Sequence, residues 1–365
     1  TLALAFADIN TGVLTGAIQL NVIDNTTEPA AGAILNASGS GSASYTSVLI
    51  QPSGGAARTI SGAATAGLPL IDLNGADNVT IDGLNTGGNS LTIANTTVSA
   101  TSGTSTIRFI GGATNNTVTN ATISGSFNAA VATNGGNIYF ATDAVTANGN
   151  DNNTISNNNI GPAGANLPTK GVYSNGSTTT TALFNSNNTI SGNNIYDYFG
   201  AAVASAGVYI AGGSTDFTVS NNKFYQTATR TQTTGAQHSA IWITGSSGNN
   251  HQITGNTIGF ANSAGTGTYT FVGVSSSSVL IPIYLAVGTT TATSVQGNTI
   301  AGISMSGAVS GTSSSAAFRG IYVSSGLTTI GNVTGNTIGS LSTAGSISFS
   351  SSSASAADVY GIFNF

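Results

Sequence analysis

One hexapeptide recurs through the second half of the sequence. It reads ISNNNI at 155–160, ISGNNI at 190–195, ITGNTI at 253–258, VQGNTI at 295–300 and VTGNTI at 333–338. Each copy begins and ends with an apolar residue, has asparagine in fourth place and has only Gly or Asn in third place. Gly and Asn are the residues that adopt a left-handed backbone at least cost. The hexapeptide therefore predicts a strand, a tight bend whose first residue is left-handed, and a second strand.

Three columns of equivalent residues emerge when these copies are aligned with two looser ones that begin at 118 and 219. The first apolar residues are Val118, Ile155, Ile190, Val219, Ile253, Val295 and Val333. The second apolar residues are Ile123, Ile160, Ile195, Phe224, Ile258, Ile300 and Ile338. The asparagines are Asn158, Asn193, Asn222, Asn256, Asn298 and Asn336, and the earliest copy has Ala121 in that place.

A second motif precedes the hexapeptide in each unit. Its copies are LIDLNG (70–75), TIRFIG (106–111), NIYFAT (137–142), GVYSNG (171–176), GVYIAG (207–212), AIWITG (240–245), PIYLAV (282–287), GIYVSS (320–325) and GIFNF (361–365). The unit returns every 31 to 42 residues, and its short alternating runs between Gly and Asn predict three β-strands. Such a unit cannot bury a core alone, so the units are expected to stack as parallel rungs about 4.8 Å apart. The asparagines would then form a ladder of side-chain amides.

With this asparagine turn, the chain resembles the right-handed parallel β-helix family with the pectin-lyase-like fold, over roughly residues 70–365. The opening stretch, TLALAFADINTGVLTGAIQLNVIDNTTE, is similar to the start of β-helix modules in very large secreted surface proteins of Bacteroidetes-type bacteria. The resemblance implies an all-β fold consisting of a single right-handed parallel β-helix, a solenoid with a short N-terminal helical cap. It also implies that a polysaccharide lyase or glycosidase is one class of function to consider.

The N-terminal residues support a cap on their own pattern. One helical face carries Leu2, Phe6, Ile9 and Val13, as expected of a lid over the open end of a stack. Ile18, Leu20 and Val22 then alternate as a first strand. We assign residues 1–60 to the cap and first rungs and residues 61–365 to further rungs, and we expect the stack to continue beyond the C-terminus.

The middle residues of the second motif should point away from the core, because their neighbours on both sides are apolar and point inward. This outward column reads Asp72, Arg108, Tyr139, Tyr173, Tyr209, Trp242, Tyr284, Tyr322 and Phe363. Asp72 and Arg108 would be rung neighbours and form an ion pair. The aromatic residues Tyr139, Tyr173, Tyr209, Trp242, Tyr284 and Tyr322 are candidates for a glycan-binding stripe. The alternative is that loops cover the stripe, or that the rings stack only for stability.

A third outward column contains Thr257, Thr299 and Thr337, which continue Asn159, Asn194 and Lys223. Regular threonine arrays can bind ice, but such arrays are flat and uninterrupted. Because this column is mixed, a set of hydroxyls facing water is its ordinary explanation.

Catalysis by acidic residues finds little support in the pattern. Glycosidases usually place two carboxylates about 5–10 Å apart, and calcium-dependent lyases need an acidic cluster and a base. On the rung alignment, no two of the eleven acidic residues share a column in adjacent rungs. Acidic, basic, imidazole and indole side chains occur near one another in sequence only at 216–251. This stretch contains Asp216, Lys223, Arg230, His238, Trp242 and His251. An enzyme would have its site there, whereas the ordinary interpretation is a loop with solvated charges. We predict no catalytic residues, no metal site and no cofactor.

The composition limits the classes of molecule that the chain is expected to bind. Only 5% of the residues are charged, and six basic residues against eleven acidic ones leave no basic patch for nucleic acid. The chain has no cysteine, which excludes disulfides and Cys-ligated zinc, and it has no apolar run long enough to span a bilayer. The sequence therefore favours a structural or adhesive segment of a large bacterial surface or secreted protein, outside the cell. The alternatives are a carbohydrate-binding module and a glycan-degrading enzyme. Surface glycans, copies of itself or neighbouring domains are the expected partners.

Overall fold

Three long sheets, A, B and C, run along the molecule, and each unit of the sequence contributes one strand to each of them, except that one unit contributes two strands, Val279–Leu280 and Ile283–Ala286, to sheet C. The computed structural model describes residues 1–142, 148–340, 342–343 and 345–365. Within this part, every pairing between the strands of these sheets is parallel, and strands adjacent in a sheet come from successive units. The chain is thus a parallel β-helix, and the predicted fold class is confirmed.

The strand bounds follow the repeat. Sheet A contains Gly16–Val22, Tyr45–Pro52, Val79–Asp82, Thr117–Thr119, Thr154–Ser156, Thr189–Ser191, Thr218–Ser220, Gln252–Thr254, Thr293–Gln296 and Thr328–Ile330. Sheet B contains Thr26–Thr27, Ala57–Gly62, Ser90–Ser99, Thr122–Phe127, Asn159–Pro162, Asn194–Tyr196, Lys223–Tyr225, Thr257–Ile258, Thr299–Ile300 and Thr337–Ile338.

Sheet C contains Ala33–Asn36, Pro69–Asn74, Ser105–Ile110, Gly136–Phe140, Lys170–Ser174, Ser205–Ile210, Gln237–Ile243, Val279–Leu280, Ile283–Ala286, Phe318–Ser325 and Val359–Asn364. Two small parallel sheets accompany the long ones. They consist of Asn185–Ser186 with Ser214–Thr215, and of Arg230–Thr231, Tyr269–Gly273, Ile303–Gly307 and Ile347–Phe349. The helices are Leu2–Asn10 and two short 3₁₀ turns, Thr181–Leu183 and Ser313–Ser315.

Apolar columns fill the interior of the coil. In sheet A the column Ile81, Val118, Ile155, Ile190, Val219, Ile253 and Val295 is fully buried, and each member pairs with the next. In sheet C the pairing from Ile71 to Ile362 takes the eight steps expected from the sequence. At about 4.8 Å per step, this part of the coil is about 40 Å long.

The predicted asparagine ladder is present. Asn158, Asn193, Asn222, Asn256, Asn298 and Asn336 are joined in order, with Nδ2 donating to the next Oδ1 over 2.9–3.1 Å. Each Oδ1 also accepts the backbone N–H of the preceding ladder residue, and each Nδ2 also donates to a carbonyl of the preceding rung. Each amide therefore satisfies buried backbone groups of the tight bend as well as its neighbours in the ladder.

The N-terminal helix closes one end of the coil. It begins at Leu2 and buries Leu2, Phe6 and Ile9, as predicted. The carboxylate of the buried Glu28 accepts hydrogen bonds from the first two helical N–H groups, at 2.9 and 2.8 Å. A negative group at this position also complements the helix dipole. The prediction for Val13 was wrong, because the helix ends at Asn10 and Val13 is 70% exposed.

The last hexapeptide departs from the predicted register. Ile330, rather than Val333, pairs with Val295 in sheet A, and Val333 is 84% exposed. Gly335 is absent from the left-handed residues, whereas Gly192, Gly255 and Gly297 have φ of 67°, 65° and 62°. The chain leaves sheet A at Ile330 and regains the register at Asn336, whose Oδ1 accepts from Asn298. The intervening segment bulges outward.

Candidate functional site

The outward column of sheet C is continuous in the structure. Strand pairing places Asp72, Arg108, Tyr139, Tyr173, Tyr209, Trp242, Tyr284, Tyr322 and Phe363 side by side in that order. The column begins one rung earlier than the sequence suggested, because Ile34 pairs with Asp72. The predicted cross-rung ion pair is present: Arg108 donates from Nε and Nη2 to the two carboxylate oxygens of Asp72, at 2.9 and 2.6 Å.

The aromatic members contact one another along the whole column. Ring centroids of successive residues from Tyr139 to Phe363 are 5.1–5.7 Å apart. The first three rings are nearly parallel, whereas the later pairs are tilted or perpendicular. Aromatic pairs at such distances each contribute about 0.5–1.5 kcal/mol beyond the area they bury. The stacking thus stabilises the coil whether or not the stripe binds a ligand.

A loop covers the first part of the stripe. Residues 128–135, which we call the strap, lie over Tyr139 and Tyr173, and these side chains are only 4% and 2% exposed. Tyr173 donates its hydroxyl hydrogen bond to Asn134 Oδ1 at 3.1 Å, and Val131 packs against both rings. The outward direction of these tyrosines was predicted correctly, but their access to a ligand is closed by the strap.

Lys170 binds the strap through its ammonium group. Its ammonium donates to the carbonyls of Val131, at 2.9 Å, and Thr133, and lies 4.0 Å from the centroid of the Tyr173 ring. Burial lowers the pKa of Lys170 to about 7. The contacts of this amine are carbonyl dipoles and the face of an aromatic ring, rather than a carboxylate.

The second half of the stripe is open to solvent at two residues, whereas Tyr322 is only 7% exposed. Trp242 and Tyr284 are partly exposed, and their ring centroids are 5.7 Å apart. Within the described residues, the Trp242 indole N–H has no hydrogen-bond partner. Arg319 stacks over Tyr322 at 4.4 Å, and its Nε also has no partner there. The rings of Trp242 and Tyr284 are thus partly open to solvent, whereas the two unpaired N–H groups are buried.

The mixed region 216–251 does not form one site. Lys223 is exposed on sheet B, Trp242 lies on sheet C, and Asp216 accepts from Asn250 at a turn. The two histidines are buried in the interior. The structure separates these residues because each occupies a different face or turn of the coil.

The residue types that were considered for catalysis have structural partners instead. Thr114 donates to Asp77 from its N–H and hydroxyl, and Ser186 does the same to Asp151, so both carboxylates join neighbouring turns. Among the described residues, no group of three or more His, Cys, Asp or Glu could hold a metal ion. Asp143 lies outside the described residues. No described helix is long and apolar enough to cross a membrane.

Sequence reasoning missed a buried ion pair. Arg230 Nη2 contacts Asp197 Oδ1, and both side chains are 11% exposed. Arg230 Nε also donates to Gln226 Oε1 at 2.7 Å, while Asp197 accepts from the N–H and hydroxyl of Thr227. No repeat marks this pair, because the two residues lie in variable segments.

Two further amide ladders were also missed. One joins Asn116, Asn153 and Asn188, and the other joins Asn150 and Asn185, with Nδ2 to Oδ1 distances of 3.0–3.1 Å. The repeated pair Asn-Asn before Thr-Val or Thr-Ile, at 115–118, 152–155 and 187–190, is the signal that could have predicted the first of them. Sheet A is therefore held by buried amides at both ends of its short strands.

The two histidines complete this interior network. His251 Nδ1 accepts the backbone N–H of Phe217 at 3.3 Å, two rungs beyond Asn188 in the ladder. His238 Nδ1 lies 2.7 Å from Ser205 Oγ, and its ring stacks between Tyr198 and Phe271. Burial lowers the pKa of His251 to about 4 and that of His238 to about 3.

These histidines predict destabilisation in acid. Between about pH 6.5, where unfolded histidine titrates, and the lowered folded pKa values, the unfolded chain binds more protons. The free energy of unfolding should therefore fall as the pH is lowered from 7 to 4.5, as measured by urea denaturation. His251→Asn places the ladder residue type at this position and should make the fall smaller. An equal fall in wild type and variant would contradict the assignment.

Comparison with known proteins finds solved structures that are similar to this chain in fold. No protein-family model matches the chain, and a search of curated proteins finds no match. An alginate lyase from Paenibacillus sp. str. FPU-7 is similar in structure, with a TM-score of 0.49, 15% identity, and coverage of 100% of this chain and 96% of the lyase. The surface protein and adhesin PfbA of Streptococcus pneumoniae has a TM-score of 0.48 and 13% identity, with 99% and 94% covered.

A third similar structure is the A-module of the mannuronan C-5 epimerase AlgE4 of Azotobacter vinelandii. It has a TM-score of 0.29 and 13% identity, with 98% of this chain and 94% of the module covered. At such identities and scores, none of the three decides what this chain binds or does. Its function must be argued from its own residues.

Proposed function

We propose that the chain is a stiff structural segment, a spacer or adhesin stalk, of a large bacterial protein that acts outside the cell. The observation that carries this proposal is the ladder from Asn158 to Asn336, which joins six successive rungs through buried amides. Each rung is also tied to the next by three parallel sheets, so bending the coil would break hydrogen bonds in several columns together.

Composition and surface fit the same role. Among the described residues, the carboxylates of Asp77, Asp151 and Asp72 are engaged with neighbouring rungs, and no acidic cluster is available for metal-assisted chemistry. With 5% charged residues, the exterior consists of Ser, Thr, Asn and Gly. Such a rod has a buried network that resists deformation and few groups that could take part in catalysis.

The spacer role is tested by pulling the protein through its two ends in a force-spectroscopy experiment. We expect a high unfolding force and extension in steps that release whole rungs, because each rung is bonded to its neighbours in several columns. Asn222→Ala, which interrupts the ladder in its middle, should lower the force. Gradual extension of the wild-type chain at low force would contradict the proposal.

Glycan recognition is a second candidate, favoured by the open half of the stripe. Trp242 and Tyr284 present partly exposed rings whose centroids are 5.7 Å apart and whose planes are tilted by 57°. Sugar rings pack on aromatic faces. Because the other four candidate tyrosines are buried, this candidate site is restricted to Trp242 and Tyr284.

A glycan array separates the two roles. Binding by the wild-type chain should disappear in Trp242→Ala and Tyr284→Ala. Tyr196→Ala is the matched control, because Tyr196 belongs to another exposed stacked pair, on sheet B, with its ring centroid 5.4 Å from that of Tyr225. Absence of binding by the wild type, or equal loss in the control, would leave the structural role without a recognition function.

A further inference from the structure

The outer face of sheet A carries two adjacent columns of hydroxyl groups. We call them together the hydroxyl face. The first column is Thr80, Thr117, Thr154, Thr189 and Thr218, and the second is Thr119, Ser156, Ser191, Ser220 and Thr254. All ten residues are partly exposed, and the buried residues between the columns belong to the core. Asp82 precedes Thr119 in the second column and Gln252 follows Thr218 in the first, so four successive rungs, from 117 to 220, carry both hydroxyls.

The pairing of these strands makes the face a regular lattice. From Thr80 to Thr218, each threonine of the first column pairs with the threonine of the next rung, with no register shift between these strands. Parallel strands lie about 4.8 Å apart, and residues two apart in a strand are separated by about 6.6 Å. The hydroxyls thus form a rectangular grid with these two repeats.

The grid is held rigidly from behind. At one end of these strands lie the amides of Asn116, Asn153 and Asn188, and at the other end lie those of the long ladder. The branched side chain of threonine has few rotamers, which further limits its motion. Within the described residues, the hydroxyls of the first column make no hydrogen bond. They are consequently ordered groups whose bonding capacity is left for a ligand.

We propose that the hydroxyl face binds ice. Hexagonal ice presents regular rows of water oxygens, so waters held by successive rungs of the grid can belong to one crystal layer. Each hydroxyl contributes little, but a preorganised array pays the ordering cost during folding rather than on binding. The threonines of the first column also carry methyl groups, which disfavour bulk-like hydration of the same surface.

The outer face of sheet B is not expected to bind ice. Its outward column also contains threonines, but Asn159, Asn194 and the exposed Lys223 interrupt it. A charged, mobile side chain cannot keep its place in a lattice. The two sheets therefore provide a test face and a control face within one molecule, and the inference does not depend on the spacer role.

The experiment measures the fraction of protein taken into a slowly growing ice hemisphere, together with inhibition of ice recrystallisation. The wild type should enter the ice. The pair Thr154→Lys and Thr189→Lys should be excluded, because two charged side chains would stand in the middle of the grid. The control pair Thr257→Lys and Thr299→Lys, on sheet B, should enter like the wild type. Circular dichroism and melting curves confirm that both variants fold.

A conservative pair sharpens the result. Thr154→Val and Thr189→Val keep the shape and the methyl groups but remove two hydroxyls, and they should reduce uptake less than the lysine pair. Exclusion of the wild type from ice would overturn the proposal, as would equal losses in the sheet A and sheet B pairs. Adsorption of the wild type to crystalline cellulose or chitin, lost in the sheet A pair while ice uptake is absent, would assign the face to a polysaccharide instead.

Discussion

Asn193→Ala should destabilise the protein by about 3–5 kcal/mol, because each buried polar group left without a partner costs about 1–3 kcal/mol. Asn193 Oδ1 accepts from the backbone N–H and from Nδ2 of Asn158, and Asn193 Nδ2 donates to the carbonyl of Ile155 and to Asn222. Alanine supplies none of these bonds. Urea denaturation followed by circular dichroism should show the loss as a lower midpoint.

The neighbouring residue is a matched control. Asn194 points outward from sheet B and makes one side-chain bond, from Nδ2 to Asn159 Oδ1 at 2.8 Å. Asn194→Ala should cost less than about 1 kcal/mol, because solvent replaces the lost partner. Similar midpoints for the two variants would show that the buried amides are not what holds the rungs together.

Arg230→Met should cost about 3 kcal/mol or more, because it leaves the carboxylate of Asp197 nearly buried without its cation. The same change also removes the bond from Arg230 Nε to Gln226. A urea titration measures the loss. Arg58→Met is the control, since the side chain of Arg58 is partly exposed and, among the described residues, donates only to the carbonyl of Ser53. That variant should lie within about 1 kcal/mol of the wild type.

A double variant tests whether the cost of removing Arg230 comes from the orphaned charge. Asp197→Asn combined with Arg230→Met removes both charges while the amide can still accept from Thr227. We expect the double variant to be more stable than the sum of the single losses predicts, because two partners in contact are not additive. Strict additivity would mean that the ion pair has no coupling energy and that Arg230 acts only through its packing.

The repeated bend was predictable because its cause is local. Asn157 and Asn221 have φ of 56° and 55°, in the left-handed region that the Gly or Asn of the hexapeptide indicated. Alternation around Ile190 similarly predicted which side chains face the core, since successive residues of a strand point to opposite sides. These features occur once per rung, so repetition makes them visible.

The error at the last hexapeptide has a physical reason. Val333 occupies the apolar position of the motif, but the motif does not specify how many residues connect one sheet to the next. Ile330 is available three residues earlier and enters sheet A instead. Which of the two apolar residues enters sheet A therefore depends on packing against the neighbouring rung, which is a tertiary interaction.

Burial of the aromatic stripe was likewise beyond the sequence. The outward direction of Tyr173 follows from strand alternation, but its cover depends on the strap and on Lys170, which bonds to the strap's carbonyls. The candidate glycan site was thus predicted as a column of six aromatic residues, whereas the structure leaves only Trp242 and Tyr284 partly exposed.

By itself the sequence determined the coil: its rungs, its inward columns, its left-handed bends and its main amide ladder. It could do so because each depends on a few adjacent residues, and stacking in register repeats the same local solution. Only the tertiary structure decided which surfaces remain accessible and which charges meet. Those outcomes depend on loops of varied length that fold over distant rungs, and no periodic signal records where such a loop will lie.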